Sequence, residues 1–360
     1  MMKELLAKYG ISSKASIIDA MKKIDLNSGV ALLVCDNGIL VGTVSDGDIR
    51  RGIISNIDVS SSVADVMNVN PTVVYEKDYE EADFSWDNYE GISCVPIVDV
   101  HKRIKRVLVR KNYSKVVSEA DYELLKDSSV VIMAGGKGTR LYPYTKILPK
   151  PLIPIGDIPI VERIIGEYTK YGIKDISLTV NYKKNMIKSY FDDVEKKYNL
   201  SYIEETMPLG TAGSLKLIER EFSKPLFVAN CDILVNADYA DIYKHHVDSG
   251  SEMTIVAALK QIVVPYGVIQ SEEDGIISSM EEKPNLSYFV NTGMYIINPK
   301  CIDEIPKNEI YHMPQLAEHL MARGKKVTMY PVSEESFLDM GEFKELGRME
   351  EHLNIDKQPK

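Results

Sequence analysis

The apolar residues from position 129 onward fall into short continuous runs separated by polar segments. The runs that predict strands are residues 130–134, 176–180, 226–229, 253–259 and 294–297. Such runs are typical of strands buried on both faces of a sheet. A helix between the first two runs is predicted by the spacing of Val161, Ile164, Ile165 and Tyr168, with Pro159 before it and Gly172 after it. This alternation predicts an α/β fold with a mostly parallel, Rossmann-like sheet covered by helices on both faces.

The N-terminal part of the chain shows a different pattern, which repeats once. Residues 33–42 predict a strand, a turn and a second strand, and residues 97–106 resemble them about 63 positions later. Each pair of strands follows a stretch with helical apolar spacing, as at Ile17, Met21 and Ile24. The repeat predicts a tandem β-α-β-β domain over residues 1–117 whose halves share one core. Residues 118–128 are the expected linker, and residues 129–360 form the second domain.

Composition narrows the class of protein. The 360 residues are 44% hydrophobic and 27% charged, which is typical of a soluble chain with a buried core. The net charge of −10 argues against nucleic acid as a partner, because phosphate backbones attract basic surfaces. The cysteines are far apart and are expected to be reduced, buried thiols. No apolar run has the length of a membrane span or the form of a signal peptide, so we expect a cytoplasmic protein that does not bind membranes.

A glycine-rich, cationic loop follows the first apolar run. Gly135, Gly136 and Gly138 carry no β-carbon, so the backbone N–H groups of the loop can approach a phosphate closely. Arg140 and Lys150 can add positive charge from two sides. The loop has neither the Lys–Ser/Thr pair of the P-loop nor the spacing of the dinucleotide-binding GxGxxG motif. A glycine loop by itself is weak evidence for a phosphate site, so its interpretation depends on the other motifs.

Two further segments place glycines or a carboxylate beside predicted strands. Residues 209–213, LGTAG, precede a helical run predicted over residues 214–222. Their glycines either begin an ordinary helix or bring backbone close to a nucleobase. Asp232 follows the run at 226–229. There it either caps the next turn or binds a divalent cation.

Three later segments complete the set of motifs. Residues 281–284, EEKP, form either a solvated charged turn or a carboxylate and an ammonium group that contact a ligand. Residues 291–295 are predicted to begin a strand, and residues 337–341 to end one. Asp339 is either a second metal ligand or the cap of a helix predicted over residues 342–353.

In this order the motifs resemble those of the sugar-1-phosphate nucleotidylyltransferase family over about residues 130–353. The resemblance implies the nucleotidyltransferase fold and a Mg²⁺ cofactor. It implies catalytic roles for Arg140, Lys150, Asp232 and Lys283, and metal binding by Asp232 and Asp339. It implies nucleotide binding by Ala134, Gly135, Gly136, Gly138, Thr139, Glu205, Leu209, Gly210, Thr211 and Ala212. It implies sugar binding by Gly267, Glu282, Lys283, Asn291 and Thr292. Cys231 departs from the glycine that the family usually has before the metal-binding aspartate, and we expect only a minor shift there.

The reaction that this family catalyses requires charge neutralisation rather than proton transfer. A sugar 1-phosphate is mostly a dianion at neutral pH, because its second pKa is near 6. It therefore needs no general base. Two polyanions must nevertheless approach each other, and each pair of unit charges at about 4 Å costs about 4 kcal/mol at an effective dielectric constant of 20. Mg²⁺ with Arg140, Lys150 and Lys283 is expected to offset that repulsion and to align an in-line attack on the α-phosphorus.

Residues 42–51, GTVSDGDIRR, resemble the end of a CBS module, a domain that pairs to bind adenine nucleotides. The resemblance implies that Ser45 and Asp48 hold the ribose and phosphate of an adenine nucleotide. A polar turn before a helix is the simpler explanation of the same residues. The second repeat has Val109 and Asn112 near the equivalent positions, so at most one such site is expected. The tandem CBS-pair α/β domain is therefore expected to serve regulation or assembly.

Residues 204–213, EETMPLGTAG, most resemble the guanylyl-transferring branch, such as mannose-1-phosphate guanylyltransferases. The fused arrangement also resembles the glucosamine-1-phosphate guanylyltransferases of bacterial legionaminic acid pathways. The expected substrates are GTP and a sugar 1-phosphate of the hexose or glucosamine type, and the expected assembly is a homo-oligomer. One alternative is the same reaction with dTTP, UTP or CTP. Another, of a different class, is a non-catalytic CBS protein that senses nucleotides.

Overall fold

The computed structural model describes residues 2–27, 29–81, 84–89, 91–110 and 117–341. The chain divides into two compact units, Met1–Val116 and Val117–Lys360. The helix predicted over residues 342–353 lies outside the described residues. In the part of the chain that is described, no helix is long and apolar enough to cross a membrane.

The first unit contains two three-stranded sheets. Its labelled elements are α1 (Met2–Tyr9), β1 (Gly10–Ile11), α2 (Ile17–Leu26), β2 (Leu32–Asp36), β3 (Ile39–Val44), α3 (Asp46–Ile54), β4 (Val74–Tyr75), β5 (Cys94–Val98) and β6 (Ile104–Val109). The strand orders are β1-β2-β3 and β4-β5-β6. One cluster of buried residues includes Leu33 and Leu40 of the first hairpin and Val98 and Val107 of the second. Both predicted hairpins form, and their halves share one core.

The helix predicted before the second hairpin does not form in the residues described there. α2 precedes β2 as expected, whereas the residues described between β4 and β5 contain only the 3-10 turns Glu76–Asp78 and Trp86–Tyr89. Aromatic rings pack locally in this segment, and Phe84 stacks on Tyr89 with ring centroids 5.1 Å apart. This packing takes the place of an apolar helix face. The β-α-β-β repeat is therefore complete only in the first half.

The second unit begins with a short helix in the predicted linker and continues with alternating strands and helices. Its elements are α4 (Glu119–Leu125), β7 (Ser129–Met133), α5 (Tyr144–Ile147), β8 (Pro154–Ile155), β9 (Ile158–Pro159), α6 (Ile160–Lys170), β10 (Asp175–Val180), α7 (Lys184–Asp192), β11 (Asn199–Glu204), α8 (Gly210–Gly213), β12 (Leu226–Asn230), β13 (Ile233–Val235), α9 (Tyr239–Ser249), β14 (Met253–Val263), β15 (Gly267–Ser271), β16 (Ile277–Glu282), β17 (Asn285–Ile297), α10 (Met313–Ala322), β18 (Val327–Val332) and β19 (Phe337–Asp339).

Seven strands form one mixed sheet in the order β11-β10-β7-β12-β17-β14-β18. Neighbours from β11 to β12 are parallel, as are β14 and β18, whereas β17 is antiparallel to both β12 and β14. The sheet is therefore mostly parallel, as predicted, and β17 is the antiparallel exception. The reason is the connection, because β14 and β17 are joined as a long hairpin and no crossover helix lies between them.

Helix α6 shows how the sequence pattern becomes packing. Its buried face consists of Val161, Ile164, Ile165 and Tyr168, each at most 2% exposed. Full burial of such a side chain stabilises the fold by about 1.5–3 kcal/mol. The Tyr168 ring packs against Phe227 on β12, with centroids 5.3 Å apart. α6 thereby covers one face of the sheet beside β7, the strand from which the glycine loop leaves.

Two predicted boundaries are wrong. The helix predicted over residues 214–222 is only α8 followed by the 3-10 turn Ser214–Leu217. Ile218 and Phe222 pack against the buried cluster without a longer helix. Residues 291–295 do not begin a strand but lie within β17, which starts at Asn285. The first half of β17 mixes apolar residues with Asn285, Ser287 and Asn291, and none of its residues is fully buried, so it lacks the continuous apolar run of the second half.

Candidate active site

The glycine-rich loop leaves the carboxyl end of β7 and folds back on itself at Lys150. Gly138 has φ +64°, and a β-carbon there would lie 2.8 Å from the Thr145 side chain and 3.0 Å from that of Lys150. Only glycine suits both this conformation and this space. The Thr145 hydroxyl donates to the Gly138 carbonyl at 3.0 Å. The Lys150 side chain is therefore held against the start of the loop.

The remaining loop residues differ in what surrounds them. The Ala134 N–H donates to the Thr179 carbonyl at 3.1 Å, which anchors the loop to β10. A β-carbon at Gly136 would meet no atom within 4 Å, so this backbone is open to a ligand. Thr139 and Arg140 follow in a 3-10 turn. The loop is thus anchored at its ends and accessible at its centre.

The short ladder between β13 and β19 brings the two predicted metal ligands together. It pairs Ile233 with Asp339, so Asp232 and Asp339 lie at the same end of the ladder. The Met340 N–H donates to the Asp232 carbonyl at 2.9 Å and fixes the backbone there. The Asp232 carboxylate accepts a hydrogen bond from the Lys150 ammonium group, and both side chains are almost fully buried. The tertiary fold therefore joins the loop lysine to both aspartates.

The electrostatics of Asp339 reflect this crowding. Burial raises the pKa of its carboxyl group, and the neighbouring Asp232 carboxylate raises it further. The Gly341 N–H, which donates to Asp339 Oδ1 at 2.6 Å, lowers the pKa, as do Lys150 and Arg140. A β-carbon at Gly341 would lie 3.0 Å from the Arg140 guanidinium group. Two carboxylates and two cations therefore form one charge cluster.

The donor set of this cluster fits Mg²⁺ bound together with a substrate. No group of three or more His, Cys, Asp or Glu side chains with metal-binding geometry occurs among the described residues. Two carboxylates are nevertheless enough, because Mg²⁺ is commonly held by one or two carboxylates and completed by water and substrate phosphates. A cation bound between Asp232 and Asp339 would relieve the repulsion between their two carboxylates. Asp232 and Asp339 would hold the ion.

Cys231, which stands where the resemblance leads one to expect a glycine before the aspartate predicted to bind metal, is 5% exposed. Burial raises the pKa of its thiol to about 12, so it stays protonated at neutral pH. A protonated thiol is neither a nucleophile nor a metal ligand. All four cysteines are free thiols, and only Cys35 is not fully buried.

Glu205 lies where the glycine loop meets the second loop, residues 209–213. Its carboxylate would be 2.7 Å from a β-carbon at Gly135, and it accepts a hydrogen bond from the Leu209 N–H at 3.3 Å. The residue is 7% exposed, and burial raises its pKa. Glu205 therefore places an acceptor between the two loops that the resemblance assigns to the nucleotide.

The glycines of the second loop contact protein rather than open space. Gly210 has φ +79°, and a β-carbon there would lie 2.6 Å from the Tyr311 carbonyl. A β-carbon at Gly213 would lie 2.7 Å from the Glu309 carbonyl. The N–H groups of Ala212 and Gly213 donate to the Tyr311 carbonyl at 2.9 and 3.0 Å. The glycines thus allow α8 to pack on the segment before α10, which is a structural reason for their presence.

Thr211 connects the same two segments. Its N–H donates to Nδ1 of His312 at 3.3 Å, and its Oγ1 accepts from the Met313 N–H at 3.1 Å. Thr211 therefore helps to cap the start of α10. The predicted nucleotide contacts of this loop depend on its backbone and on buried Leu209 and Ala212.

The predicted sugar residues form two groups. Gly267 and Glu282 face each other across the β15/β16 hairpin, and a β-carbon at Gly267 would lie 3.0 Å from the Glu282 carboxylate. Lys283 follows with φ +49° and pairs with Glu282 at 3.8 Å. Both side chains are more than 60% exposed. In the described residues this pair has no ion pair with the charge cluster.

Asn291 and Thr292 form the second group and lie inside β17. Asn291 donates from Nδ2 to the Tyr295 hydroxyl at 2.7 Å and accepts from the Gly293 N–H at 2.9 Å. Thr292 is completely buried, and its hydroxyl donates to the Val256 carbonyl at 2.8 Å. Thr292 therefore supports the strand, while Asn291 holds a polar amide beside it.

Sequence reasoning missed a second anchor of the cationic loop, residues 181–183. The Tyr182 hydroxyl donates to the Thr145 carbonyl at 3.1 Å. Lys183, at φ +52°, donates from Nζ to the carbonyls of Lys146 and Ile147 at 2.6 Å each. The only signal in the sequence was a polar NYK segment after the β10 run. We call residues 181–183 the NYK clamp.

Ser45 and Asp48 bond to each other at the start of α3. The Ser45 N–H and hydroxyl donate to Asp48 Oδ2 at 2.9 and 2.7 Å, and the Asp48 N–H donates to Ser45 Oγ at 3.2 Å. Arg51 pairs with the other carboxylate oxygen. This reciprocal capping box explains both residues structurally. Binding of an adenine nucleotide by Ser45 and Asp48 stays a prediction.

Comparisons with known proteins show the family of this chain. The sequence profile of the nucleotidyl transferase family matches residues 129–355. Mannose-1-phosphate guanyltransferase of Debaryomyces hansenii is 38% identical over 184 residues, which are 49% of this chain and 51% of that protein. The protein of the same name from Saccharomyces cerevisiae is 37% identical over 184 residues, with coverage of 49% and 51%. The chain thus spans about half the length of the curated relatives it matches.

Solved structures resemble about two thirds of this chain. A protein from Bacillus anthracis, provisionally assigned as a glucose-1-phosphate thymidylyltransferase, has a TM-score of 0.50 and 22% identity, over 65% of this chain and 97% of that one. HddC from Yersinia pseudotuberculosis is 26% identical with a TM-score of 0.49, over 63% of this chain and 99% of that one. The first similarity concerns the fold alone.

Proposed function

Because this chain belongs to the nucleotidyl transferase family, we propose that it transfers a nucleoside monophosphate from a nucleoside triphosphate to a sugar 1-phosphate. A phosphate oxygen of the sugar phosphate forms a bond to the α-phosphorus. The bond from that phosphorus to the bridging oxygen breaks, and pyrophosphate leaves. The products are a nucleoside diphosphate sugar and pyrophosphate.

The charge cluster of Arg140, Lys150, Asp232 and Asp339 is the observation that carries this proposal. Lys150 and Arg140 would bind phosphate oxygens that repel one another, which lowers the cost of bringing two polyanions together. No group in the cluster needs to take a proton, because the attacking phosphate is already ionised. Pre-positioned cations therefore supply positioning and charge neutralisation, which phosphoryl-type transfers require.

Mg²⁺ is part of the proposal and would be held by Asp232 and Asp339. When bound, it would neutralise charge on the triphosphate and on the leaving pyrophosphate. Lys150, which pairs with Asp232 in the structure, would turn from that carboxylate to the phosphates. The protein's own contribution is to hold the two carboxylates, the ammonium group and the guanidinium group around one point.

We propose guanine as the base, for a reason that lies in Glu205. Guanine presents N–H donors on its Watson–Crick edge, whereas a carboxylate is acceptor-only when ionised. Glu205 places such an acceptor between the glycine loop and Leu209. The mannose-1-phosphate guanyltransferases among the relatives support the same choice. dTTP, UTP and CTP remain the alternatives.

We propose that the sugar 1-phosphate carries a hexose or a sugar of the glucosamine type. Glu282 would accept hydrogen bonds from sugar hydroxyls, and Lys283 would pair with the sugar phosphate. A homologue that acts on mannose 1-phosphate supports a hexose. The fused N-terminal unit supports the glucosamine-type alternative only through the resemblance described above.

A pyrophosphate-release assay tests the function. The full chain with Mg²⁺ is offered GTP, ATP, CTP, UTP or dTTP, each with mannose, glucose, glucosamine, N-acetylglucosamine or galactose 1-phosphate. We expect release with GTP and one hexose or glucosamine-type phosphate. The Glu205→Gln variant tests the base, because the amide replaces one acceptor by a donor; it should lose GTP selectivity.

A direct binding measurement tests nucleotide binding and base preference separately from catalysis. Calorimetry with Mg²⁺ and a non-hydrolysable GTP analogue should show binding in the absence of sugar phosphate. No binding of any nucleotide would refute the proposed function. Preference for another base with intact catalysis would refute only the choice of guanine.

A further inference from the structure

Two buried hydroxyl groups lie against the starts of the glycine loop and the second loop. Thr179, near the end of β10, is 1% exposed, and Ser214, directly after α8, is completely buried. Thr179 Oγ1 accepts a hydrogen bond from the Ala134 N–H at 3.1 Å. Ser214 Oγ lies 3.5 Å from the Gly210 carbonyl oxygen. One hydroxyl group is therefore held at each of the two loops that the resemblance assigns to the nucleotide.

The carboxylate of Glu205 contacts the same two loops. Its Oε1 would lie 2.7 Å from a β-carbon at Gly135, the residue after Ala134. Its Oε2 accepts from the N–H of Leu209, the residue before Gly210, at 3.3 Å. Each loop contact of the carboxylate is thus one residue away from a loop contact of a hydroxyl group. The carboxylate and the two hydroxyl groups converge between the loops.

The Glu205 carboxylate is the strongest acceptor for both hydroxyl groups. Met133 Sδ lies 3.7 Å from Thr179 Oγ1 and 3.6 Å from Ser214 Oγ. A thioether sulfur is only a weak acceptor, whereas a hydrogen bond to an ionised group is about twice as strong as one between neutral groups. Each hydroxyl group carries one proton, so we expect both to donate it to Glu205.

These donors influence the protonation of Glu205. Burial raises the pKa of its carboxyl group, whereas the Leu209 N–H and the hydroxyl groups of Ser214 and Thr179 lower it. In the part of the chain that the structure describes, no charged side chain contributes to this balance. Whether Glu205 is ionised therefore depends on the two hydroxyl groups and on one backbone N–H.

We propose that Thr179 and Ser214 are positioning residues that select guanine over adenine, because they hold Glu205 as an ionised carboxylate that only accepts hydrogen bonds. This selection rests on the proposed function. Guanine presents two neighbouring donors, N1–H and N2–H, to such a carboxylate. A protonated carboxyl group has one donor and one acceptor, which match N1 and N6–H of adenine instead. The two protonation states of one side chain thus favour different bases.

Displacement of a labelled, non-hydrolysable GTP analogue by unlabelled GTP or ATP tests this role. The full chain is used with Mg²⁺ and without sugar phosphate, so that only ATP bound at the nucleotide site is counted. The ratio of the two affinities is measured between about pH 5 and pH 8.5, a range in which buried carboxyl groups titrate. In the wild type the preference for GTP should fall as the pH falls, because Glu205 gains a proton.

Removal of either hydroxyl group should move this loss of preference to higher pH. Thr179→Val and Ser214→Ala each lack one donor that lowers the pKa of Glu205. At neutral pH both variants should discriminate against ATP roughly tenfold less than the wild type does, since each has lost a hydrogen bond to a charged group. The affinity for ATP should stay the same or rise.

Two further variants of β10 serve as matched controls. Thr179→Val leaves the loop anchored, because the Ala134 N–H also donates to the Thr179 carbonyl at 3.1 Å and valine suits a strand. Thr179→Ser keeps the hydroxyl group and should keep the wild-type preference. Ser177→Ala removes another buried hydroxyl group of β10, one that bonds to Ser201 Oγ at 2.8 Å, and should also behave like the wild type.

The charged and titratable side chains of the neighbouring segments are the same in every variant. Glu204 is exposed and pairs with Lys184 and Lys188, and His312 contacts Thr211 on the second loop. Their titration contributes equally to each pH profile. A profile that differs between Thr179→Val and the wild type therefore reports the lost hydroxyl group.

Variants that keep the wild-type preference for GTP at every pH would overturn the proposal. Equal weakening of GTP and ATP would overturn it too, because a purely structural role moves both affinities together. If Ser214→Ala fails to fold, the comparison of Thr179→Val with Thr179→Ser decides by itself. A wild type that binds no nucleotide would refute the proposed function, and this result is seen before any variant is compared.

Discussion

Lys150 and Asp232 form an ion pair whose side chains are only 12% and 7% exposed. A buried pair of this kind is costly to break by removing one partner, because an uncompensated charge remains. It is also an arrangement that a ligand can rearrange, since a phosphate can take the ammonium group while a cation takes the carboxylate. The pair therefore fits a resting state of the proposed enzyme.

The first prediction concerns the metal. Asp232→Asn should lower turnover by about two orders of magnitude or more, because an amide oxygen binds Mg²⁺ far more weakly than a carboxylate. EDTA should abolish the activity of the wild type. Isothermal titration of Mg²⁺ into the chain with bound nucleotide analogue gives a readout apart from turnover, and the variant should show weakened binding.

Asp303→Asn serves as the control, since Asp303 is 86% exposed and pairs with Lys216 away from the charge cluster. Circular dichroism should show that both variants are folded. Turnover of Asp232→Asn close to that of the wild type at saturating Mg²⁺ would remove Asp232 from the mechanism.

The second prediction separates the roles of the cations. Lys283→Ala should raise the KM for sugar phosphate about tenfold or more and the KM for nucleotide by less than threefold, because only the sugar phosphate is expected to contact this ammonium group. Lys260→Ala, which removes a lysine paired with Glu334 at 3.5 Å, is the control. Equal weakening of both substrates would show that Lys283 has been assigned to the wrong ligand.

At the scale of elements, the NYK clamp links the cationic loop to the sheet. Its side chains hold three successive carbonyls of α5, those of Thr145, Lys146 and Ile147. The Asn181 amide donates to the Glu205 carbonyl at 2.9 Å. One short segment after β10 therefore positions both the loop that ends at Lys150 and the residue proposed to bind guanine.

The third prediction follows from this link. Lys183→Met removes two hydrogen bonds to carbonyls without changing the backbone strain at a positive φ, so the loop should become less ordered. We expect the KM for nucleotide to rise roughly tenfold while kcat changes less than threefold. Lys183→Arg should restore much of the affinity, whereas Lys188→Met, which removes a lysine paired with Glu204, should behave like the wild type. A loss confined to thermal stability would refute a role in positioning.

Helix α9 carries a buried histidine that makes stability depend on pH. His246 bonds to Thr254 Oγ1 at 2.8 Å and to Asn298 Oδ1 at 3.4 Å. Burial lowers the pKa of His246 from 6.5, and neighbouring His245 acts in the same direction, while Asn298 and Glu252 oppose it. The unfolded chain therefore binds the proton more readily than the folded chain.

The fourth prediction is that acid destabilises the second unit through this residue. The free energy of unfolding should rise with pH up to about 6.5, because the unfolded state binds more protons below that value. His246→Gln should flatten this dependence in urea unfolding measured between pH 5 and 8 (roughly the range in which histidine titrates). His101→Gln, at an exposed turn, is the control and should keep the slope of the wild type. An unchanged slope in His246→Gln would place the titrating group elsewhere.

At the scale of the whole molecule, the chain consists of two units. The smaller, Met1–Val116, contains the two related hairpins, and the larger, Val117–Lys360, contains the charge cluster. In the capping box at the start of α3, Ser45 and Asp48 already serve as each other's hydrogen-bond partners. A ligand could therefore bind Asp48 only if its carboxylate gave up its hydrogen bonds to Ser45. A ligand regulates only if it binds two arrangements of the protein with different affinity.

The fifth prediction tests regulation. If the first unit is a sensor, calorimetry of the full chain should show one adenine nucleotide bound per chain through Ser45 and Asp48. Asp48→Ala should weaken AMP or ATP about tenfold, because unmet buried hydrogen bonds cost about 1–3 kcal/mol. Turnover without the adenine nucleotide should be unchanged. If none of AMP, ADP and ATP binds more tightly than millimolar, the unit is an assembly domain.

The sequence by itself determined the features that depend on residues close to one another along the chain. Mainly apolar runs predicted β7, β10, β12, β14 and the buried end of β17, because strands covered on both faces consist mostly of apolar side chains. The spacing of buried residues predicted α6, and the glycine loop was predicted from the need for backbone without β-carbons at Gly138. The order of motifs predicted the family. These features depend on neighbours within a few residues.

Only the tertiary structure decided what depends on residues far apart. Asp232 and Asp339 meet because β13 pairs with β19, and no pattern near either residue specifies that ladder. The antiparallel β17, the NYK clamp and the packing of Gly210 on Tyr311 likewise depend on contacts across the fold. The β15/β16 hairpin shows the same limit, since its sequence is compatible with a strand in any sheet, yet among the described residues no third strand pairs with it. Burial is a property of the whole assembly of elements, so sequence periodicity predicts which face is apolar but not what covers it.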